Sequence, residues 1–171
     1  VTLAGWLPAA EEEHHSHPVP EKLGTVSFAN SCAPALNPAF ARAVALLHSF
    51  AYTASEQAFR DVAAKDPGCA MAHWGMAMSH YHLLWEPPAG EELREGAAQA
   101  AKAVDMGSGS PRERQFIQAI AAYYRDADHV PHAERAQRYE QAMAEVARNN
   151  PGDTEAQIFH ALAFFNDTAT T

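Results

Sequence analysis

Residues 58–82 read AFRDVAAKDPGCAMAHWGMAMSHYH, and a helical pattern inside them stops at Asp66-Pro67-Gly68 and restarts at once. Proline cannot continue a helix and glycine terminates one, so the break is a designed seam. Before it, Ala58, Phe59 and Val62 fall on one face of a helix spanning Tyr52 to Ala64. After it, Met71, Trp74, Gly75 and Met78 recur at helical spacing on a new helix.

The same device recurs further along. AMAEVARNNPGDTEAQIFHALA repeats the small-plus-large pair, the valine three residues later, the polar-Pro-Gly turn and the fresh helix. KAVDMGSGSPRERQFIQAIA is a looser copy. The turn prolines Pro67, Pro111 and Pro151 lie 44 and 40 residues apart, a period that belongs to stacked helical units. One helix pair cannot cover its own apolar face, whereas stacking on the next pair does.

The remaining helices follow from caps and breakers. Asn37-Pro38 reads as an N-cap and first-turn proline for a helix carrying Phe40, Val44, Leu47 and Ala51. WEPPAG is a loop, Glu91 to Met106 a helix, and Ser110-Pro111-Arg112-Glu113 a capping box opening a helix with Phe116, Ile117, Ile120 and Tyr124. His132 to Arg148 and Thr154 to Ala163 supply the last two. Alternating Val/Ile/Thr runs are almost absent and alanine is abundant, so the chain reads as all-α. Its 171 residues, 47% hydrophobic, suffice for one packed domain or part of a longer array.

On these residues the chain resembles the tetratricopeptide repeat family. Phe59 stands eight residues before Pro67, with Val62 and the small Ser55 and Ala43 at neighbouring signature positions. Gly75 corresponds to the close-packing glycine of the next unit, two residues early. Met143 stands eight before Pro151, with Tyr139 where the family has a small residue. The resemblance runs from Asn37 to Ala163 and implies a right-handed solenoid of about three helix-turn-helix units. More narrowly, the stretch from Leu23 to Ser79 is similar to the start of a group of exported bacterial repeat proteins without a defined activity. It implies a periplasmic or secreted address and a scaffold for protein or peptide partners.

Stacked units would also bring Cys32, just before one first helix, beside Cys69, in the first turn of the next. Export would permit a disulfide between them; the alternative is two small buried residues. The scaffold reading puts Asn37, His48, Ser79, His80 and Gln115 on the surface that would meet a ligand. Asn37 as a mere cap and His48 as a core histidine are the competing readings.

Other chemistry finds little support. Net charge is −9 and no Lys/Arg cluster offers a stripe for nucleic acid or an anionic membrane. No run approaches a membrane span. GSGS lacks the Gly-Lys-Ser/Thr of a phosphate loop, and no nucleophile elbow or HExxH is present. Trp74, Met76 and Met78 read as core. The expectation is a non-enzyme without cofactor. EEEHHSH places His14, His15 and His17 beside carboxylates, a composition that attracts transition metals, so a metal-binding module is the rival reading. An accessory domain of a larger protein is a third.

Three regions are expected. Residues 1–31 form an N-terminal extension and linker, in which VTLAGWLPAA resembles the end of a signal peptide. Residues 32–163 carry the repeats. Residues 164–171, FFNDTATT, break the helical pattern and resemble the adapter read-through that ends some metagenomic reading frames, a non-native tail on a fragment.

Overall fold

The computed structural model describes residues 22–82 and 86–170, with side chains as far as Asn166. A 3₁₀ turn, Pro34–Leu36, leads into α1 (Asn37–His48), α2 (Tyr52–Lys65), α3 (Ala70–Tyr81), α4 (Gly90–Met106), α5 (Pro111–Tyr124), α6 (His132–Asn149) and α7 (Thr154–Thr170). No strand occurs among the described residues, so the fold is all-helical. Each helix packs mainly on the next in sequence, with additional α1–α3 and α3–α5 contacts. Among the described residues, no helix is long and apolar enough to cross a membrane.

The seam at residues 66–69 is built by Asp66. Its Oδ1 accepts from the Gly68 N–H at 3.0 Å, and its carbonyl accepts from the Cys69 N–H at 3.0 Å. Pro67 lies inside this turn, and α3 begins three residues later at Ala70. Asp153 performs the corresponding service after Pro151, its Oδ1 accepting from the Glu155 and Ala156 N–H groups. Of the three seam prolines, Pro111 alone occupies the first turn of a helix directly, behind the Ser110–Glu113 capping box. The expected Asn37 cap is absent: the 3₁₀ turn runs straight into α1, which leaves Leu36 at the cap position and Asn37 already helical.

α3 is the central element. Eleven of its twelve residues are buried, against the single inward face that its periodicity suggests. The reason is position, because α1 and α2 cover one flank while α4 and α5 cover the other. Phe59, fully buried, lies flat on Gly75, where any Cβ would overlap its ring. Below this contact a hydrogen-bond chain runs through the interior: Ser79 Oγ donates to Ser55 Oγ at 3.1 Å, and Ser55 Oγ donates to the Ala43 carbonyl at 3.1 Å. The small residues therefore both permit close approach and link three helices. A second pair of this kind, Gly96 under the Tyr124 ring, joins α4 to α5, and the Tyr124 hydroxyl donates to the Ala77 carbonyl at 2.9 Å.

At the far end α7 does not stop at Ala163 but continues through Thr170. Asn166 is buried there and donates from Nδ2 to the Tyr81 hydroxyl at 3.0 Å, which ties the last turns of α7 to α3. Phe164 is exposed on the opposite side.

Gly75→Ala is expected to destabilise the protein by about 1–3 kcal/mol, since buried Phe59 has nowhere to move. Urea unfolding would measure it, and the loss should shrink in a Phe59→Leu background. An equal loss in both backgrounds would exclude the ring contact as its cause.

Candidate functional site

The residues singled out as ligand-facing are scattered. Ser79 is interior, its hydroxyl engaged with Ser55 Oγ and with the Gly75 carbonyl at 2.9 Å; a hydroxyl near the end of α3 is drawn inward because that helix has no wet face. Asn37 is exposed at the start of α1. His48, at the end of α1, bonds through Nε2 to Glu155 Oε2 at 2.8 Å and stacks on Phe159, so it braces α1 against α7. His80 faces α2, with its Nε2 3.7 Å from Glu56 and lacking a hydrogen-bond partner. Burial pushes its pKa down, opposed by the Glu56, Glu92 and Glu95 carboxylates. Gln115 looks toward the α6–α7 turn, its Oε1 accepting from Asn150 Nδ2 at 2.8 Å. No common surface unites the five.

Gln115 nevertheless lines a real groove. A shallow depression of about 500 Å³ runs between α5 and α6. Arg114 and Gln118 join Gln115 on α5, and Arg125 just past its end, with Glu145 and Asn149 opposite on α6. Arg138 and Asp126 extend it at the α5–α6 connection. Helical spacing of three and four residues sets Arg114, Gln115 and Gln118 on one side of α5, and Arg125 follows directly after the helix ends at Tyr124. Three arginines thus gather along one groove of a chain whose net charge is −9. Arg138 is paired with Glu134 at 2.6 Å and Arg114 donates to the Gly109 carbonyl, and the carboxylates of Asp126 and Glu145 line the groove beside the guanidinium groups.

A second site lies where the odd-numbered helices meet. Phe40 from α1, Trp74 from α3, Phe116 from α5 and Phe159 from α7 surround the ring of Phe28, with centroids 5.2–6.5 Å away. Phe28 comes from the non-helical segment ahead of α1, read from sequence as a linker. Arg112 stacks over both Phe28 and Phe116, at 4.4 and 4.7 Å from the centroids, while pairing with Asp153. Its Nη1 donates to the Ala29 carbonyl at 2.9 Å.

Glu113 holds the next part of the segment. Its Oε1 accepts from the Ser31 N–H at 2.8 Å, and its Oε2 from the Ser31 hydroxyl at 2.8 Å and the Ser110 N–H at 2.6 Å. Burial alone would raise the Glu113 pKa. The hydrogen bonds from Ser110 and Ser31 outweigh it and hold the carboxyl below the usual carboxylate range. Immediately after Ser31, Cys32 is joined to Cys69 by a disulfide, with Cα atoms 4.7 Å apart. Ala33 N–H donates to Asp66 Oδ2 at 2.8 Å, which binds the segment's root to the seam.

Sequence reasoning saw Glu113 as a capping residue and missed Phe28, Ser31 and Arg112 as its companions. A single phenylalanine among Ser, Ala and Asn carries no periodicity to mark it as buried. His14, His15 and His17 lie outside the described residues. Among the described residues, no three His, Cys, Asp or Glu side chains gather as a metal site. Comparison with protein-family models, with curated proteins and with solved structures returns no match.

Because the folded-state Glu113 pKa is depressed, its stabilising contribution is complete above the ordinary carboxylate pKa of about 4 and disappears as pH falls through the lowered value. Asp153, half-buried, hydrogen-bonded to the Glu155 and Ala156 N–H groups and paired with Arg112, behaves in the same direction. Urea midpoints should therefore drop on acidification below about pH 5. Glu113→Gln should lower stability at neutral pH by about 1–3 kcal/mol and flatten that acid dependence. An unchanged pH profile in this variant would contradict the assignment.

Proposed function

We propose that this chain is a non-enzymatic binding scaffold of tetratricopeptide type, whose stacked helix pairs present a groove to a protein or peptide partner. Three observations support the repeat reading: neighbour-on-neighbour packing, the recurrent Pro-Gly seams, and the Phe59–Gly75 and Gly96–Tyr124 contacts between successive helices. The observation that carries the function is the α5–α6 groove, lined by Arg114, Gln115 and Gln118 of α5 and by Arg125 at its end, with Glu145 and Asn149 facing them. Side chains so spaced can follow a peptide backbone and answer acidic side chains with guanidinium groups. An acidic body around these local arginines favours a ligand that brings carboxylates to them.

Selection of random peptides displayed on phage against the purified chain tests this. Enriched peptides should be acidic, and Arg125→Glu should weaken them roughly tenfold, the scale of a contact worth more than 1 kcal/mol, at unchanged melting temperature. Absence of enrichment would overturn the scaffold reading. Binders indifferent to Arg125→Glu would remove the groove from it.

A further inference from the structure

From the seating of residues 23–31 we infer that the crevice between the odd-numbered helices is a second peptide site, holding the chain's own segment as an internal occupant. Its ligand class is a non-helical peptide with a phenylalanine and, three residues later, a serine or threonine. This site is separate from the α5–α6 groove and stands without it.

The segment is gripped as a bound peptide is gripped. Of residues 23–31 only Phe28 is buried; Gly24, Thr25, Ser27, Ala29 and Ser31 are exposed. One aromatic anchor in a desolvated pocket, surrounded by nearly neutral contacts, is how binding energy concentrates in a peptide interface. The polar contacts read the peptide backbone: Arg112 takes the carbonyl one residue after the phenylalanine, and Glu113 takes the N–H three residues after it. Glu113 adds a test of side-chain type, since its carboxylate accepts from the Ser31 hydroxyl and would lose that donor to an apolar side chain.

The receptor wall has ring contacts of its own, with Trp74 5.8 Å from Phe116 and 5.4 Å from Phe159 between centroids. Phe40, Trp74, Phe116 and Phe159 belong to four helices, each packed on a sequence neighbour. Glu113 is already oriented by the Ser110 capping box. The covalent tie sits at the segment's C-terminal root, at Cys32 directly after Ser31. Such a tether makes occupation intramolecular and raises the effective concentration of the internal ligand. A partner's strand therefore competes with it and does not enter an empty slot.

The test uses the full chain with its disulfide intact and a fluorescein-labelled peptide copying residues 23–31. In the Phe28→Ala/Ser31→Ala double variant the internal occupant loses both its anchor and its hydroxyl. Labelled peptide should then bind saturably, roughly tenfold or more tighter than to the parent chain. Replacing the peptide's phenylalanine by alanine should abolish binding. A helical double variant that ignores the peptide, or binds both peptides equally, would overturn the inference. Concentration-dependent dimers of the variant would assign the crevice to a second copy and also overturn it. If the double variant loses its helicity, hydrogen exchange on the parent chain decides: residues 23–31 should open faster than α3, and opening only together with α3 would make the segment plain core.

Discussion

A helix that is apolar on every side must be enclosed on every side, and α3 is such a helix. Its burial demands that α1 and α2 fold over one flank and α4 and α5 over the other. The approach is limited by the bulk of the facing side chains, which is why glycine stands opposite Phe59. The Ser79–Ser55–Ala43 hydrogen bonds satisfy the polar groups that this closeness would strand. From α3 outward, Tyr81 receives Asn166 of α7, Tyr124 reaches back to Ala77, and Trp74 forms one wall of the crevice around Phe28. The interior is thus organised around one sequence element, the stretch directly after the Pro67 seam.

Polar residues at the rim of the crevice serve several elements each. Glu113 caps α5 and also fastens the segment before α1. Arg112 pairs with Asp153 at the α6–α7 turn, covers two aromatic rings and donates an N–H to the Ala29 carbonyl. Asp66 closes its own turn while holding Ala33. Shared use of this kind lets few ionised groups be buried without leaving one uncompensated. It also gives the molecule its dependence on ionised carboxylates.

Much of the helical layout was legible beforehand because it rests on local chemistry. The Ser110 capping box, the Pro-Gly turns and the spacing of Phe40, Val44 and Leu47 act within a few residues of themselves. Other features are set by contacts distant in sequence. Phe28 is buried because four helices converge on it, although nothing in the polar sequence around Ser27 to Ser31 announces a core residue. Ser79 points inward because α4 and α5 cover its helix. Asn166 turns FFND from an apparent helix end into part of α7 by reaching Tyr81. Gly96 looks like an ordinary weak spot in an alanine-rich helix until Tyr124 is placed over it. The groove of α5 and α6 contains Gln115 but draws its arginines from turns whose facing was not fixed by periodicity alone.

The Cys32–Cys69 bond has a mechanical consequence. It closes a covalent loop with 37 residues of sequence separation, and α1 and α2 lie wholly inside that loop. A pull on the chain from its N-terminal side would pass through sulfur directly to the start of α3. The first two helices would be bypassed and carry no load, so an unfolding machine working from that end would meet the buried central helix first.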